Sequence, residues 1–286
     1  MSAPLQQGSA LQSGKDHTGE NFPVASVLIA PQFRAPVMAF YKFVRFADDI
    51  SDHPTAAPDE KLRLLEEMRA TLAGESDASP EGVRLRAICA ERGLTIQHGL
   101  DLLEAFRRDC AKLRYRDWDE VIDYCRYSAM PVGRFVLDVH GEPQTLWPAN
   151  DALCAALQVI NHLQDCGKDY RDLNRVYIPE PDLAAAGTRV EALGEAQASP
   201  ALKGVIHSLA AKNAELLAKS RVFARGIGDT RLALEVDLIQ TLAADLNAKL
   251  MRRDPLSEPV HHSKFDVARL FLGRLPAFAF GRMVRT

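Results

Sequence analysis

A chain of 286 residues, 47% hydrophobic and 26% charged, has the make-up of a globular protein and is long enough to bury a sizeable core. Thirty-five Lys and Arg against thirty-eight Asp and Glu leave a net charge of −3, without the basic surplus of a nucleic-acid binder. Five scattered cysteines without a CxxC pair exclude a zinc ribbon or disulfide scaffold and point to a reducing compartment. With no apolar run near the roughly 18 residues of a spanning helix, and no signal-peptide pattern at the start, a cytoplasmic protein is expected.

Residues 1–19 are polar and rich in Gly, Ser and Gln, which predicts a disordered lead. One all-α domain is expected over 20–286. Apolar residues at steps of three and four predict helices over 59–73, 81–92, 95–113, 117–140, 150–172, 200–225 and 229–252. Gly74–Pro80 and Gly141–Pro148 read as short connections, and 173–199 as a Pro/Gly/Ala-rich excursion with room for one short helix.

Three segments carry polar groups where a core helix should be apolar. In the first, Tyr41, Arg45, Asp48 and Asp52 recur at steps of four, three and four, so they share one stripe. Asp48 and Asp52 are then carboxylates one turn apart, which repel unless a cation lies between them. Oxygen donors in that arrangement suit Mg²⁺, and Arg45 could hold the same phosphates. A solvated helix end with Arg45 paired to Asp49 would show the same residues. In the second segment Asn161, Asp165 and Asp169 step by four along one face, with Gln158 beside it. Such a row is costly to bury without cations. Two rows together suggest facing helices around a metal–phosphate cluster. The third segment runs from Tyr124 to Phe135, where Pro131 and Gly133 predict a kink with space for a ligand.

Other features take plainer readings. Lys168 falls off the acidic stripe and should face solvent; His162 should be a satisfied structural histidine. Trp118 and Trp147 read as packing anchors, and Arg107, Arg108, Lys112 and Arg114 as a solvated face. The cysteines read as core thiols, with oxidation sensitivity as the alternative for Cys166, which borders the second acidic row. The tail 261–286 interleaves Lys264, Arg269, Arg274, Arg282 and Arg285 with Phe265, Leu270, Phe271, Leu272, Leu275, Phe278 and Phe280. It suits either peripheral contact with an anionic membrane or a closing helix packed on the core.

At the three polar segments the sequence resembles the squalene/phytoene synthase family of head-to-head prenyl synthases. The resemblance rests on YxxxRxxDDxxD at Tyr41–Asp52, on Tyr124-Cys125 with Ser128-Ala129 and Val132-Gly133, and on Gln158, Asn161, Asp165, Asp169 and Arg175-Val176-Tyr177-Ile178-Pro179. It implies an all-α, single-domain isoprenoid synthase-type bundle around a central active-site cavity. It implies Mg²⁺, two or three ions, on Asp48, Asp52, Asn161, Asp165 and Asp169. Tyr41, Asp48, Asp52, Asp165 and Asp169 would be catalytic. Tyr41, Arg45, Gln158 and Arg175 would bind the diphosphate end, with Phe22, Val132 and Gly133 on the substrate's apolar part. Further wall positions are Phe43, Leu137, Leu157 and Ile160.

Departures from the family pattern are Gln164, Lys168, His162, Cys166 and Met130-Pro131. With Glu20–Ser26, they make the chain similar to the bacterial branch that takes presqualene diphosphate and water in hopanoid-linked squalene biosynthesis. That branch implies an alcohol product and no NADPH. The alternatives are a synthase that condenses farnesyl or geranylgeranyl diphosphate, and a non-catalytic helical scaffold.

Overall fold

The computed structural model describes residues 28–283. The expected lead at 1–19 and the candidate Phe22 lie outside the described residues. Proline opens most of the helices. Pro31, Pro58, Pro80, Pro131, Pro148, Pro181 and Pro200 each occupy one of the first two helical positions, where the missing N–H has no partner to lose. The helices in chain order are α1 (Pro31–Ser51), α2 (Pro58–Ala73), α3 (Pro80–Arg92), α4 (Gln97–Asp109), α5 (Trp118–Ser128), α6 (Met130–Val139) and α7 (Trp147–Gln164). They continue as α8 (Cys166–Leu173), α9 (Glu180–Ala185), α10 (Pro200–Ser220), α11 (Phe223–Gly226), α12 (Thr230–Leu250) and α13 (Lys264–Met283). No strand occurs among the described residues, as the 3.6-residue periodicity predicts.

Three of the expected long helices are divided, the one over 200–225 between α10 and α11. Over 117–140 the chain leaves the helix at Ala129, with φ −130° and ψ −46°, and restarts with Pro131 inside the first turn of α6. A proline ring cannot follow an unbroken helix without losing a hydrogen bond and meeting the preceding turn. The expected kink is therefore a full break two residues upstream. Over 150–172 the break falls at Asp165, with φ −99° and ψ 7°. The four-residue ladder persists across it, because Asp165 N–H bonds the Asn161 carbonyl at 2.9 Å and Asp169 N–H bonds that of Asp165 at 2.8 Å.

The chain divides into two compact units, 28–112 with Arg126–Gly141, and Leu113–Cys125 with 142–283. In the first unit α1 packs against α2, α3, α4 and α6. Phe43, Ile50, Leu65, Leu72, Leu103 and Phe135 fill its core, and Phe40 stacks on Phe135 with ring centroids 4.0 Å apart. In the second unit α7, α10 and α12 pack on one another. A buried amide pair locks these three: Asn213 donates to the Ala156 carbonyl and to Asn247 Oδ1, and Asn247 donates to the Ala210 carbonyl. The excursion 173–199 contains α9 and a 3₁₀ turn at Val190–Gly194, in line with the short helix expected there.

Candidate active site

The first acidic row lies at the C-terminal end of α1. Apolar positions of that helix are sealed into the unit's core, which turns Tyr41, Arg45, Asp48 and Asp52 to a half-buried stripe. Arg45 Nη1 meets Asp48 Oδ2 at 2.9 Å, and Nη2 meets Asp49 Oδ1 at 3.0 Å. Arg45 thus holds both adjacent carboxylates, and Asp49, only 8% exposed, is no solvated end. The Ser51 hydroxyl donates to the Asp48 carbonyl at 3.0 Å, and Lys61 Nζ donates to the Ser51 carbonyl at 2.9 Å, closing the helix end. Carboxylates at a helix C-terminus stand against the dipole.

One consequence is visible in Asp48. Burial, with the charges of Asp52, Asp49 and Asp109 acting against the pull of Arg45, raises its carboxyl to about 7. Asp109 comes from the last position of α4, is 5% exposed, and was absent from the sequence-based candidates. Its apolar-stripe spacing with Leu102 and Phe106 is the signal that could have found it. Arg45 therefore sits among a concentration of acids at this helix end. The donors are all oxygen, the type preferred by a hard divalent cation that keeps waters and phosphates in its shell. No group of three or more His, Cys, Asp or Glu among the described residues forms a ready metal cage. A cation bound through one or two carboxylates and a substrate's phosphates does not require one.

The second unit presents the other acidic row. Gln158, Asn161, Asp165 and Asp169 are all half-buried, while Val159, Ile160 and Leu163 on other faces of α7 are buried. Asn174, left-handed at φ 51°, ends α8 and turns the chain so that Arg175 N–H bonds the Asp169 carbonyl at 3.1 Å. Arg114 secures this turn, donating to the Asn174 carbonyl and, at 2.7 Å, to its side chain. The expectation of a solvated Arg114 is corrected accordingly: it ties 113–115 to the segment bearing Arg175 and Tyr177, beside the Val176-to-Leu113 backbone bond of 3.0 Å.

Arg175 itself is buried, with Nη1 3.5 Å from the Tyr177 hydroxyl, which lies 3.5 Å from that of Tyr124. His162 stacks on Tyr177 with centroids 3.4 Å apart, and Tyr115 closes the cluster against Tyr124 and Tyr177. Burial, with the neighbouring charge of Arg175, pushes His162 down to about 3. Its Nε2 has no hydrogen-bond partner. The histidine is structural, as expected, but not satisfied. A small cavity of about 10 Å³ adjoins it, lined by Trp118, Val121, Val159, Leu163, Tyr177 and Leu209.

The remaining candidates separate by burial. Val132 is 40% exposed and Gly133 half-buried at the start of α6. Leu157 is half-buried, whereas Phe43, Leu137 and Ile160 are fully buried. Lys168 faces solvent and approaches only Asp172, at 3.9 Å. Cys166 is buried, and burial together with Asp169 and Asp165 pushes its thiol up to about 12. A thiol so placed carries little thiolate, which favours the core-thiol reading over oxidation sensitivity.

The family described as squalene/phytoene synthase matches residues 15–266. The chain is 57% identical over 257 residues to a hydroxysqualene synthase of Rhodopseudomonas palustris, covering 90% of this chain and 88% of that one. It is 54% identical over 264 residues to a hydroxysqualene synthase of Zymomonas mobilis, covering 92% and 89%. A solved squalene synthase of Alicyclobacillus acidocaldarius superposes with a TM-score of 0.72 at 31% identity, over 86% of this chain and 92% of that one. A dehydrosqualene synthase solved with a ligand superposes at 0.76 over 95% and 96%, and at 21% identity the likeness is one of fold.

Proposed function

Because the chain belongs to the squalene/phytoene synthase family, we propose that it converts presqualene diphosphate and water to hydroxysqualene and diphosphate, with Mg²⁺ and without NADPH. The observation that carries this reading is the half-buried acidic row at the end of α1, where burial and the charges of Asp52, Asp49 and Asp109 raise the Asp48 carboxyl to about 7 despite its ion pair with Arg45. So much like charge drawn together suits a divalent cation and its phosphates. The high identity to hydroxysqualene synthases supports the choice of substrate and product.

In this reading Asp48 and Asp52 would hold Mg²⁺ at the end of α1, and Asn161, Asp165 and Asp169 would do so along α7 and α8. Bound there, the metal supplies positive charge to the departing diphosphate. Tyr41 and Arg45 donate hydrogen bonds to diphosphate oxygens, with Gln158 and the buried cation of Arg175 assisting. Loss of diphosphate leaves a carbocation, which rearranges and must meet one water only at the end. Val132 and Gly133, with Phe22, exclude solvent from the hydrocarbon. Water then adds its oxygen to the cation and loses a proton, giving the alcohol. We place the reaction in bacterial squalene and hopanoid biosynthesis, in the cytoplasm at the inner face of the membrane where so apolar a substrate resides. Among the described residues no helix is long and apolar enough to cross a membrane.

The test is mass spectrometry of products from purified protein given Mg²⁺ and presqualene diphosphate without NADPH. A thirty-carbon alcohol with released diphosphate is expected, and Asp165→Ala should abolish it while the helical circular dichroism persists. A condensed product from farnesyl or geranylgeranyl diphosphate, with presqualene diphosphate untouched, would overturn the reading.

A further inference from the structure

Helix α13 attaches to its unit in an unusual way. Ser263 and Asp266 cap its start reciprocally: Ser263 N–H donates to Asp266 Oδ2 at 3.0 Å, and Asp266 N–H donates to Ser263 Oγ at 3.1 Å. Arg274 then makes two bonds to Asp237 on α12, at 2.6 and 2.8 Å, and Lys249 approaches Asp266 at 3.7 Å. None of the α13 side chains that the structure describes is buried. The helix is held through its charged groups, and its apolar side chains remain partly or fully in solvent.

The exposed ones are not scattered. Phe265 is 75% exposed and Leu272 is 65% exposed, the two largest values among the exposed large apolar side chains of the described residues. At about 100° per residue, positions 265, 272 and 276 fall on one stripe. Pro276 and Ala268 are also exposed there, and Lys264 and Arg269 flank it. Neither of those two cations pairs with an acid among the described residues. Val267, Leu270, Phe271 and Phe278 point elsewhere and are half-buried. A terminal helix needs one apolar side to pack on its own protein; α13 has a second, which stands exposed among the described residues.

We infer that this outer stripe of α13 docks on an anionic lipid bilayer. Charge favours that occupant. Residues 261–286 hold five Lys and Arg against one acid, in a chain whose net charge is −3. Apolar tips at the acyl boundary, with Lys264 and Arg269 extending to headgroups, form the arrangement of an interfacial helix. The chemistry of the substrate agrees, since a thirty-carbon diphosphate partitions into a bilayer. In that respect the inference rests on the proposed function.

The experiment is sedimentation of the full chain with vesicles of phosphatidylcholine alone, or mixed with phosphatidylglycerol, containing no substrate. Binding is then read independently of turnover, so failure here and failure of the proposed activity are distinguishable. The wild type should pellet with the mixed vesicles, release at high salt, and stay in the supernatant with phosphatidylcholine. Phe265→Ser with Leu272→Ser should weaken binding on the order of tenfold or more, and Arg269→Glu should weaken it several-fold. Both variants should keep the melting temperature and the turnover of detergent-dispersed substrate. Wild type that ignores mixed vesicles, or a double variant that binds them equally well, overturns the inference. So does a wild-type dimer that the double variant converts to monomer, because a second copy would then cover the stripe.

Discussion

Replacing Asp48 by Asn should expose how the acidic end of α1 is balanced. The Asp48 carboxyl stands at about 7 instead of 3.8, chiefly because it is buried and Asp52 lies nearby. At 1.36 kcal/mol per pH unit, holding it charged in the fold costs at most about 4 kcal/mol. With 32% of the side chain open to water, roughly half of that is realistic, on the order of 2 kcal/mol. The folded chain retains the proton when the unfolded chain has lost it. Without divalent cation, the contribution of Asp48 to stability should therefore be greatest below the ordinary value of 3.8, decline as pH rises toward about 7, and level off above it. Asp48→Asn should lack that decline and melt a few degrees higher than wild type at pH 8.

The same proton competes with Mg²⁺, because a carboxylate must be deprotonated to bind metal. Half-saturation by Mg²⁺ should be about tenfold weaker at about pH 6 than at about pH 8, and about twofold weaker near pH 7. Two readouts follow the competition: diphosphate release during Mg²⁺ titrations, and the Mg²⁺-induced rise in melting temperature at each pH. Asp48→Asn should lose most Mg²⁺-dependent stabilisation and its pH dependence together. A Mg²⁺ requirement that is flat from pH 6 to 8 in wild type, or unchanged in Asp48→Asn, would refute the reasoning.

Three other substitutions probe the second unit. His162→Phe keeps the stack on Tyr177 and removes a buried Nε2 that has no partner, with the adjoining cavity to receive the larger ring; its denaturant midpoint should match wild type or exceed it by up to about 1 kcal/mol, and a loss above about 2 kcal/mol would show a hidden polar role. Asn213→Ala removes the donor to both the Ala156 carbonyl and Asn247; it should cost about 2–4 kcal/mol by urea unfolding, and adding Asn247→Leu should recover part of that rather than double it. Lys168→Ala, at a side chain 58% exposed, should stay within about 0.5 kcal/mol of wild type and keep turnover within about twofold, whereas a lost product would place the ammonium in the chemistry.

The helices and both acidic rows were legible because they depend on local periodicity. Tyr41 to Asp52 keeps one stripe wherever the helix lies, and proline marks the starts without help from tertiary contacts. Breaks were less legible. Asp165 leaves helical dihedrals while its four-residue hydrogen bonds persist, a geometry that no spacing rule distinguishes from a continuous helix. Asp109 follows Arg107 and Arg108 and reads as part of a charged surface; only the packing of α4 against α1 buries it. Arg114 was misread for the same reason, since solvation depends on burial, which the identity of chain neighbours does not set. The tail alternates basic and apolar residues so evenly that its sequence assigns neither face. The Arg274 to Asp237 pair selects the inner one.

The two units treat charge in opposite ways, and this bears on where protons can move. At the end of α1 acids are drawn together, so one carboxyl titrates near neutrality. Around Arg175 the interior holds a cation among tyrosines, and the adjacent His162 stays neutral, chiefly because it is buried and further because a second positive charge is disfavoured beside Arg175. His162 consequently has no proton to give as an acid at pH 7. Arg175 offers positive charge there for an anionic leaving group. The nearby groups able to move or share a proton are the Tyr124 and Tyr177 hydroxyls, 3.5 Å apart with the guanidinium of Arg175 reaching one of them. A phenol beside a guanidinium favours donating over accepting, so this corner suits stabilising negative charge on oxygen. It does not suit taking the proton from the quenching water.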